Sequence, residues 1–153
     1  MKPDALLKLP LFKGLDQTHL ATLAESAAEE RFRSEQIIFE QGQRAKRLYI
    51  LLDGRVSIRY KPYDGDVLNV TEVKPNGVFG WSAALGRPSY TSCAVCVEDG
   101  LAISVRGDAL KALCEAFPTT GVLILERLAA VIAERLQNTH AHVVEMLREG
   151  VSS

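Results

Sequence analysis

Four glycine-containing turn dipeptides constrain what this chain can fold into. Asp53-Gly54, Asp64-Gly65, Asn76-Gly77 and Asp99-Gly100 cut residues 32–105 into apolar runs no longer than a short strand. The runs are Ile37-Ile38-Phe39, Leu48 to Leu52, Val56 to Tyr60, Val67 to Val73, Thr91 to Val97 and Leu101 to Val105. In Val56-Ser57-Ile58-Arg59-Tyr60 apolar and polar residues alternate, as in a strand with one wet face. Asp-Gly between two such runs is the composition of a tight hairpin, so Asp53-Gly54 and Asp99-Gly100 are expected to reverse the chain. Many short strands at regular spacing predict a closed sandwich or barrel.

Helical patterns flank this region. Leu6, Leu7, Leu11 and Phe12 are spaced as on a helix interrupted by Pro10, and Asp16 is expected to cap a second helix through Leu20, Leu23 and Ala27. After Gly107, Asp108 is expected to cap a helix ending near Pro118, and Thr119 or Thr120 to start a long one. Leu125, Leu128, Ile132, Leu136, Val143 and Leu147 recur at three, four and seven residues, a continuous apolar stripe. Unbroken to Glu149, that helix would span about 30 residues and roughly 45 Å. A helix reaching beyond the domain with an apolar stripe needs a partner, and a second copy pairing through residues 122–147 is the simplest one.

The 153 residues suit a single domain, and a formal net charge of −1 supplies no electrostatic grip on DNA or anionic lipid. No apolar run reaches the roughly 18 residues that cross a bilayer, and Met1 to Pro10 lacks a signal-peptide core. A cytoplasmic protein is expected, without membrane attachment. Three cysteines are odd for a disulfide framework. Cys93 and Cys96 lie three apart on an expected strand, on opposite faces, so packing outweighs metal or redox use; Cys114 is expected to be buried in a helix.

Catalysis finds little to work with. A metal-dependent enzyme on a roll of strands needs histidines and a carboxylate converging from strands, whereas His19, His140 and His142 lie in the helical segments. His140 and His142 sit about 200° apart around a helix and cannot grip one ion. No cysteine cluster marks an iron–sulfur centre. The expectation is no enzyme, no metal and no resident cofactor.

One interruption of the strands stands out. In Phe79-Gly80-Trp81-Ser82-Ala83-Ala84-Leu85-Gly86, residues Ser82 to Leu85 prefer a short helix. Its amides would face the interior of the roll and suit an anion such as a phosphate.

With these segments in hand, the chain resembles the cyclic-nucleotide-binding domains of the catabolite-activator and anaerobic-regulator superfamily. Leu11 to Leu15 looks like the family's opening helix turn. Phe39-Glu40-Gln41-Gly42 with Leu48 to Val56 resembles its first hairpin. Phe79-Gly80 with Ser82, Ala83 and Leu85 looks like the start of its phosphate-binding cassette, and Arg135-Leu136-Gln137-Asn138-Thr139 resembles a point on the dimerisation helix of the bacterial activator. The resemblance covers nearly the whole chain. It implies an α+β fold: a jelly-roll-like double-stranded β-helix over 31–106 with a cassette at 79–92, N-terminal helices over 1–30 and C-terminal helices over 107–150. It also implies a small-molecule ligand, a cyclic nucleotide or another small anion, that biases the helices after the roll.

Two departures bear on that ligand. Where relatives carry a glutamate for the ribose hydroxyl, this chain has Trp81; where they carry an arginine for the cyclic phosphate, it has Tyr90 or Thr91. Arg87 could serve only if the loop were about three residues shorter. A lost charge-assisted contact costs about 1.5–3 kcal/mol, or ten- to a hundred-fold in affinity, which argues against ordinary cyclic AMP or cyclic GMP. The candidate site is then Phe79, Gly80, Trp81, Ser82, Ala83, Tyr90, Thr91 and Ser92, with Thr139 from the helix. Each has a plainer role beside the binding one: Trp81 as a plug of the old pocket, Ser82, Thr91 and Ser92 as capping or edge residues, Thr139 as an interface residue. Arg44, Lys46 and Arg47 either attract an anionic partner or simply solvate a loop.

A further departure lies after the long helix, where family transcription factors continue into a helix-turn-helix domain. This chain has only a few residues to Ser153, so direct DNA reading is not expected. The function expected is a homodimeric ligand-sensing regulatory module. A regulator of the same superfamily lacking or separated from its DNA-binding domain, and a ligand-free interaction domain, stand as alternatives.

Overall fold

Asp53-Gly54 and Asp99-Gly100 do not reverse the chain, contrary to the expectation from their composition. Each sits inside one long strand: β3 (Arg47–Tyr60) and β6 (Cys93–Arg106) run straight through them. The two strands pair antiparallel from Arg47 opposite Arg106 to Arg59 opposite Cys93, with register shifts between Leu51 and Val56. At that point the glycines meet. A Cβ on Gly54, whose φ is +89°, would lie 2.6 Å from the Cα of Gly100, and one on Gly100 would lie 2.6 Å from the Asp53 carbonyl oxygen. The Asp53 carboxylate accepts from the Gly54 amide at 2.9 Å. The dipeptides therefore serve a bulge where two backbones approach closely and the ribbon bends, which is the other use of glycine in a strand.

In this computed structural model, residues 1–62 and 65–152 are described, except for the side chains of 138, 139, 141–143, 146, 147 and 149–152. The Asp64-Gly65 turn expected from the sequence rests on Asp64, outside the described residues. The remaining elements are α1 (Pro3–Leu6), α2 (Ala21–Ser26), β1 (Ala28–Phe32), β2 (Ile37–Phe39), β4 (Leu68–Val73), β5 (Val78–Phe79), α3 (Gly107–Ala116) and α4 (Pro118–Ser152). The sheet runs β1-β6-β3-β4, with β2 on β6 and β5 on β3, all antiparallel. It is a jelly-roll-like roll that does not close into a barrel, which corrects the closed form expected from strand spacing.

Leu48 to Leu51 read as continuous apolar sequence because β3 is covered on both faces. Leu48 and Ile50 join a core cluster with Phe12, Leu20 and Leu23 from the N-terminal segment and Leu110, Ile124 and Leu128 from the C-terminal helices. Tyr49 and Leu51 point the other way, into a second cluster with Phe39, Val56, Phe79, Tyr90 and Ala102 inside the roll.

Three helix starts differ from the sequence reading. Asp16 accepts from the Thr18 amide at 2.9 Å, an Asx turn preceding α2, which begins only at Ala21. Asp108 lies within the first turn of α3 and pairs with Arg106 at 2.6 Å rather than capping. Pro118, not Thr119 or Thr120, opens α4, where its fixed φ suits the first helical position. The Thr120 hydroxyl and His19 Nδ1 are hydrogen-bonded at 2.7 Å, and the His19 ring stacks on Phe117. Cys114 is half-exposed, not buried; a Cβ on Gly121 would meet its Sγ at 2.9 Å, so glycine sets how closely α3 and α4 cross. Among the described residues no helix is long and apolar enough to cross a membrane.

Candidate functional site

Gly80 follows β5 with a φ of +75°, and a Cβ there would sit 3.1 Å from both the Arg47 carbonyl oxygen and the Tyr49 ring. A glycine thus lets the chain leave the sheet tight against β3. Residues 81–86 then form consecutive turns rather than the short helix expected. The Leu85 amide donates to the Trp81 carbonyl at 3.0 Å and the Arg87 amide to the Ser82 carbonyl at 3.0 Å. Gly86, at φ +71°, stops any helix from propagating.

Between this turn and the strand that follows lies a cavity of about 40 Å³, lined by Gly80, Trp81, Ser82, Tyr90, Thr91 and Ser92, with Phe39, Ile58 and Arg135. That volume holds roughly three waters. A site for a drug-sized ligand begins near 300 Å³. Side chains fill the rest of the roll. The Tyr90 ring stacks on Phe39 at 3.8 Å, and its hydroxyl donates to the Arg47 carbonyl at 2.6 Å while accepting from the Arg47 amide. Tyr90 thereby closes the roll with its hydroxyl already engaged.

The expected site residues divide. Gly80, Trp81, Ser82, Tyr90, Thr91 and Ser92 come together around the cavity. Phe79 lies apart from it, fully buried, its ring stacked on Tyr49 at 5.0 Å. Ala83 faces away: it lines a groove on the outer side of the turn, and a Cβ on Gly107 would lie 2.3 Å from the Ala83 carbonyl oxygen. Arg87 also lines that outer groove and not the cavity, so it does not stand in for the absent cassette arginine. The Thr139 side chain lies outside the described residues.

The residue that sequence reading missed is Arg135. It reaches from α4 to the cavity, where its guanidinium carbon lies 4.5 Å from the Trp81 ring centroid and one nitrogen donates to the Val78 carbonyl at 2.7 Å. Burial draws its pKa down to about 10, so the guanidinium stays charged at neutral pH. The signal was present in the spacing. Ile124 and Leu128 are buried apolar positions of α4, Val131 packs beside them, and Arg135 continues that 4-3-4 series with a cation where an apolar residue is expected. The apolar stripe read from sequence mixes two faces, because Leu136 on it is 66% exposed.

Trp81 has two sets of neighbours. It packs half-buried against the helical core cluster, and it presents a ring to the cavity, already stacked by Arg135. The cavity therefore offers a guanidinium, an aromatic face and hydroxyls of Ser82, Thr91 and Ser92, a donor-rich lining suited to an anion or a polar ligand. Burial raises the thiol pKa values of Cys93 and Cys96, which keeps both protonated on β6.

Comparison with known proteins agrees with this architecture. Residues 29–117 match the model of the cyclic nucleotide-binding domain. A CRP-like cAMP-activated global transcriptional regulator of Mycobacterium tuberculosis is 26% identical over 144 residues, covering 94% of this chain and 62% of that protein. The crystal structure of a cyclic nucleotide-binding domain from Methylobacillus flagellatus superposes with a TM-score of 0.77 at 15% identity, over 95% of this chain and 82% of the other. That of Thermus thermophilus catabolite activator protein superposes with a TM-score of 0.68 at 24% identity, over 90% and 62%. This chain thus spans about three fifths of the length of the mycobacterial regulator it matches. With the family model covering more than half of its residues, the chain belongs to the cyclic nucleotide-binding domain family.

Proposed function

We propose that this domain senses a small anionic or polar ligand at the 80–92 cavity and transmits occupancy through Arg135 to α4, as a homodimer. One observation carries the reading: among the described residues one charged side chain from α4, that of Arg135, lines the cavity, stacks on Trp81 and holds β5 through the Val78 carbonyl. An anion entering beside Ser82 competes for that guanidinium. Its binding energy then bears directly on where α4 lies, which is the differential contact a switch requires. An intact cyclic nucleotide exceeds about 40 Å³, so it enters only if Arg135 and Trp81 swing aside. The mycobacterial relative is named as cAMP-activated. Here Trp81, and Tyr90 or Thr91, stand where relatives carry the ribose and phosphate anchors, which favours a different anion.

The homodimer reading rests on α4. Val122 and Leu136 are exposed on it, and with Ala129 they fall at near-heptad spacing on a face turned about 120° around the helix from that of Ile124 and Leu128. Relatives that are whole transcriptional regulators are longer than this chain, and control of transcription is proposed only through such a context. No chemical step is proposed.

Thermal-shift and calorimetric titration with cyclic AMP, cyclic GMP, phosphate and nitrate test the sensor. At least one is expected to raise the melting temperature at millimolar concentration, and Arg135→Gln to abolish the shift. If none shifts it, the ligand-free interaction domain stands instead. That second reading is favoured by the stacking of Tyr90 on Phe39 inside the roll.

A further inference from the structure

The outer side of the cassette turn carries a groove of about 900 Å³, between the turn, the 44–47 segment and α3. Its rim is cationic. Arg44, Lys46, Arg87 and Lys111 are exposed on it, and among the described residues none of the four forms an ion pair. Arg106, offset by Asp108, and Arg47, whose guanidinium donates to the Ser26 carbonyl and the Ser104 hydroxyl, bring the cations lining the groove to six. The groove is lined by several cations and a single carboxylate, Asp108, although the chain as a whole carries a net charge of −1, so the groove's charge is of opposite sign to the chain's. The floor is aliphatic: Ala83, Ala84 and Leu110 lie beneath, while Leu85 and Leu125 stand 50% and 39% exposed at its edges.

We infer that this groove docks an acidic amphipathic helix of a partner protein. Leucines on one face of such a helix cover Leu85 and the Ala83, Ala84 and Leu110 floor, and carboxylates on its flanks meet the unpaired cations. Nucleic acid would meet the charge but not the floor, which has no aromatic ring on which a base could stack. The inference does not depend on what fills the cavity. It does place the partner against the reverse of the same turn: Ala83 lines the groove while Trp81 and Ser82 line the cavity.

Fluorescence anisotropy with the full chain tests it. The probe is a labelled peptide of about four helical turns with leucines at i, i+3, i+4 and i+7 and glutamates elsewhere. Comparators are polyglutamate of equal length and a single-stranded oligonucleotide of equal charge. The leucine peptide is expected to bind about tenfold more tightly than polyglutamate and to weaken with salt. Arg87→Glu with Lys111→Glu is expected to weaken it about tenfold or more, and Leu85→Ser to do so without a charge change. Arg33→Glu, outside the groove, should leave it unchanged. Equal affinity for polyglutamate, tighter binding of the oligonucleotide, no binding of the leucine peptide, or unaltered binding by both groove variants at unchanged melting temperature each overturns the inference.

Discussion

The Arg135 guanidinium sits over Trp81 at 4.5 Å and donates to the Val78 carbonyl at 2.7 Å, so one side chain ties the long helix to the cassette turn and to β5. A cation over an indole contributes about 0.5–2 kcal/mol, and a charge-assisted hydrogen bond about 1.5–3 kcal/mol. Desolvation of the guanidinium offsets part of both. Arg135→Gln is therefore expected to destabilise the fold by about 1–3 kcal/mol. Trp81 is the sole tryptophan, so its fluorescence reports the same contact. Urea unfolding read at that wavelength should show both a changed native emission and a lower midpoint. Unchanged emission would remove the contact from any account of the site.

Gly54 and Gly100 differ from the other glycines in what surrounds them. At Gly54 an added methyl meets backbone at 2.6–2.8 Å and the φ is +89°. Gly42 has nearly the same φ, +87°, but nothing within 4 Å of its would-be Cβ. Gly42→Ala is thus expected to cost only the left-handed conformation, about 1–2 kcal/mol. Gly54→Ala adds a backbone clash that no rotamer relieves, for about 3 kcal/mol or more. Melting temperatures of the two variants separate the effects; equal losses would mean the strands do not cross as closely as described.

That pair of glycines also marks where sequence reading stopped. Asp-Gly between apolar runs is the composition of a hairpin, and it is equally the composition of a bulge at a backbone crossing. Local chemistry cannot distinguish them because the deciding partner, Gly100 for Gly54, lies 46 residues away. The cassette was legible for the opposite reason: Gly80 to Ser82 and Tyr90 to Ser92 are near neighbours joined by one turn. Arg135 was hidden by distance as well. Only packing shows that the face bearing Ile124 and Leu128, not the one bearing Leu136, meets the roll.

Tyr49 and Tyr90 keep their protons above the ordinary tyrosine value of 10.0, chiefly because burial disfavours the phenolate. In the unfolded chain both ionise at the ordinary value. Unfolding above pH 10 therefore releases protons, so stability is fully present below that pH and falls as pH rises, by up to about 1.4 kcal/mol per pH unit for each tyrosine. Tyr49→Phe should flatten the decline of melting temperature between pH 9.5 and 11, with little change at pH 7, since no hydrogen bond is seen to its hydroxyl among the described residues. Tyr90→Phe should lower stability at every pH, because it removes two hydrogen bonds to Arg47. A Tyr49→Phe curve parallel to that of the unaltered chain would mean the ring is solvated in the folded state.

Leu136 is 66% exposed on a helix whose inner face is already satisfied by Ile124 and Leu128. If two copies pair along the proposed outer stripe, symmetry brings this position close to its own equivalent or to a near neighbour on the partner. A glutamate there loses apolar area and places a carboxylate in a low-dielectric seam, a penalty of several kcal/mol per buried charge. Within one chain the same change touches no buried contact and should cost less than about 0.5 kcal/mol. Sedimentation velocity at micromolar concentration is expected to show a dimer for the unaltered chain and a monomer for Leu136→Glu. Their far-ultraviolet circular dichroism should match, apart from any helix that frays when α4 loses its partner. A dimer that persists in the variant places the seam on another face of α4; a monomer in both sets aside the pairing and leaves the outer stripe without an occupant.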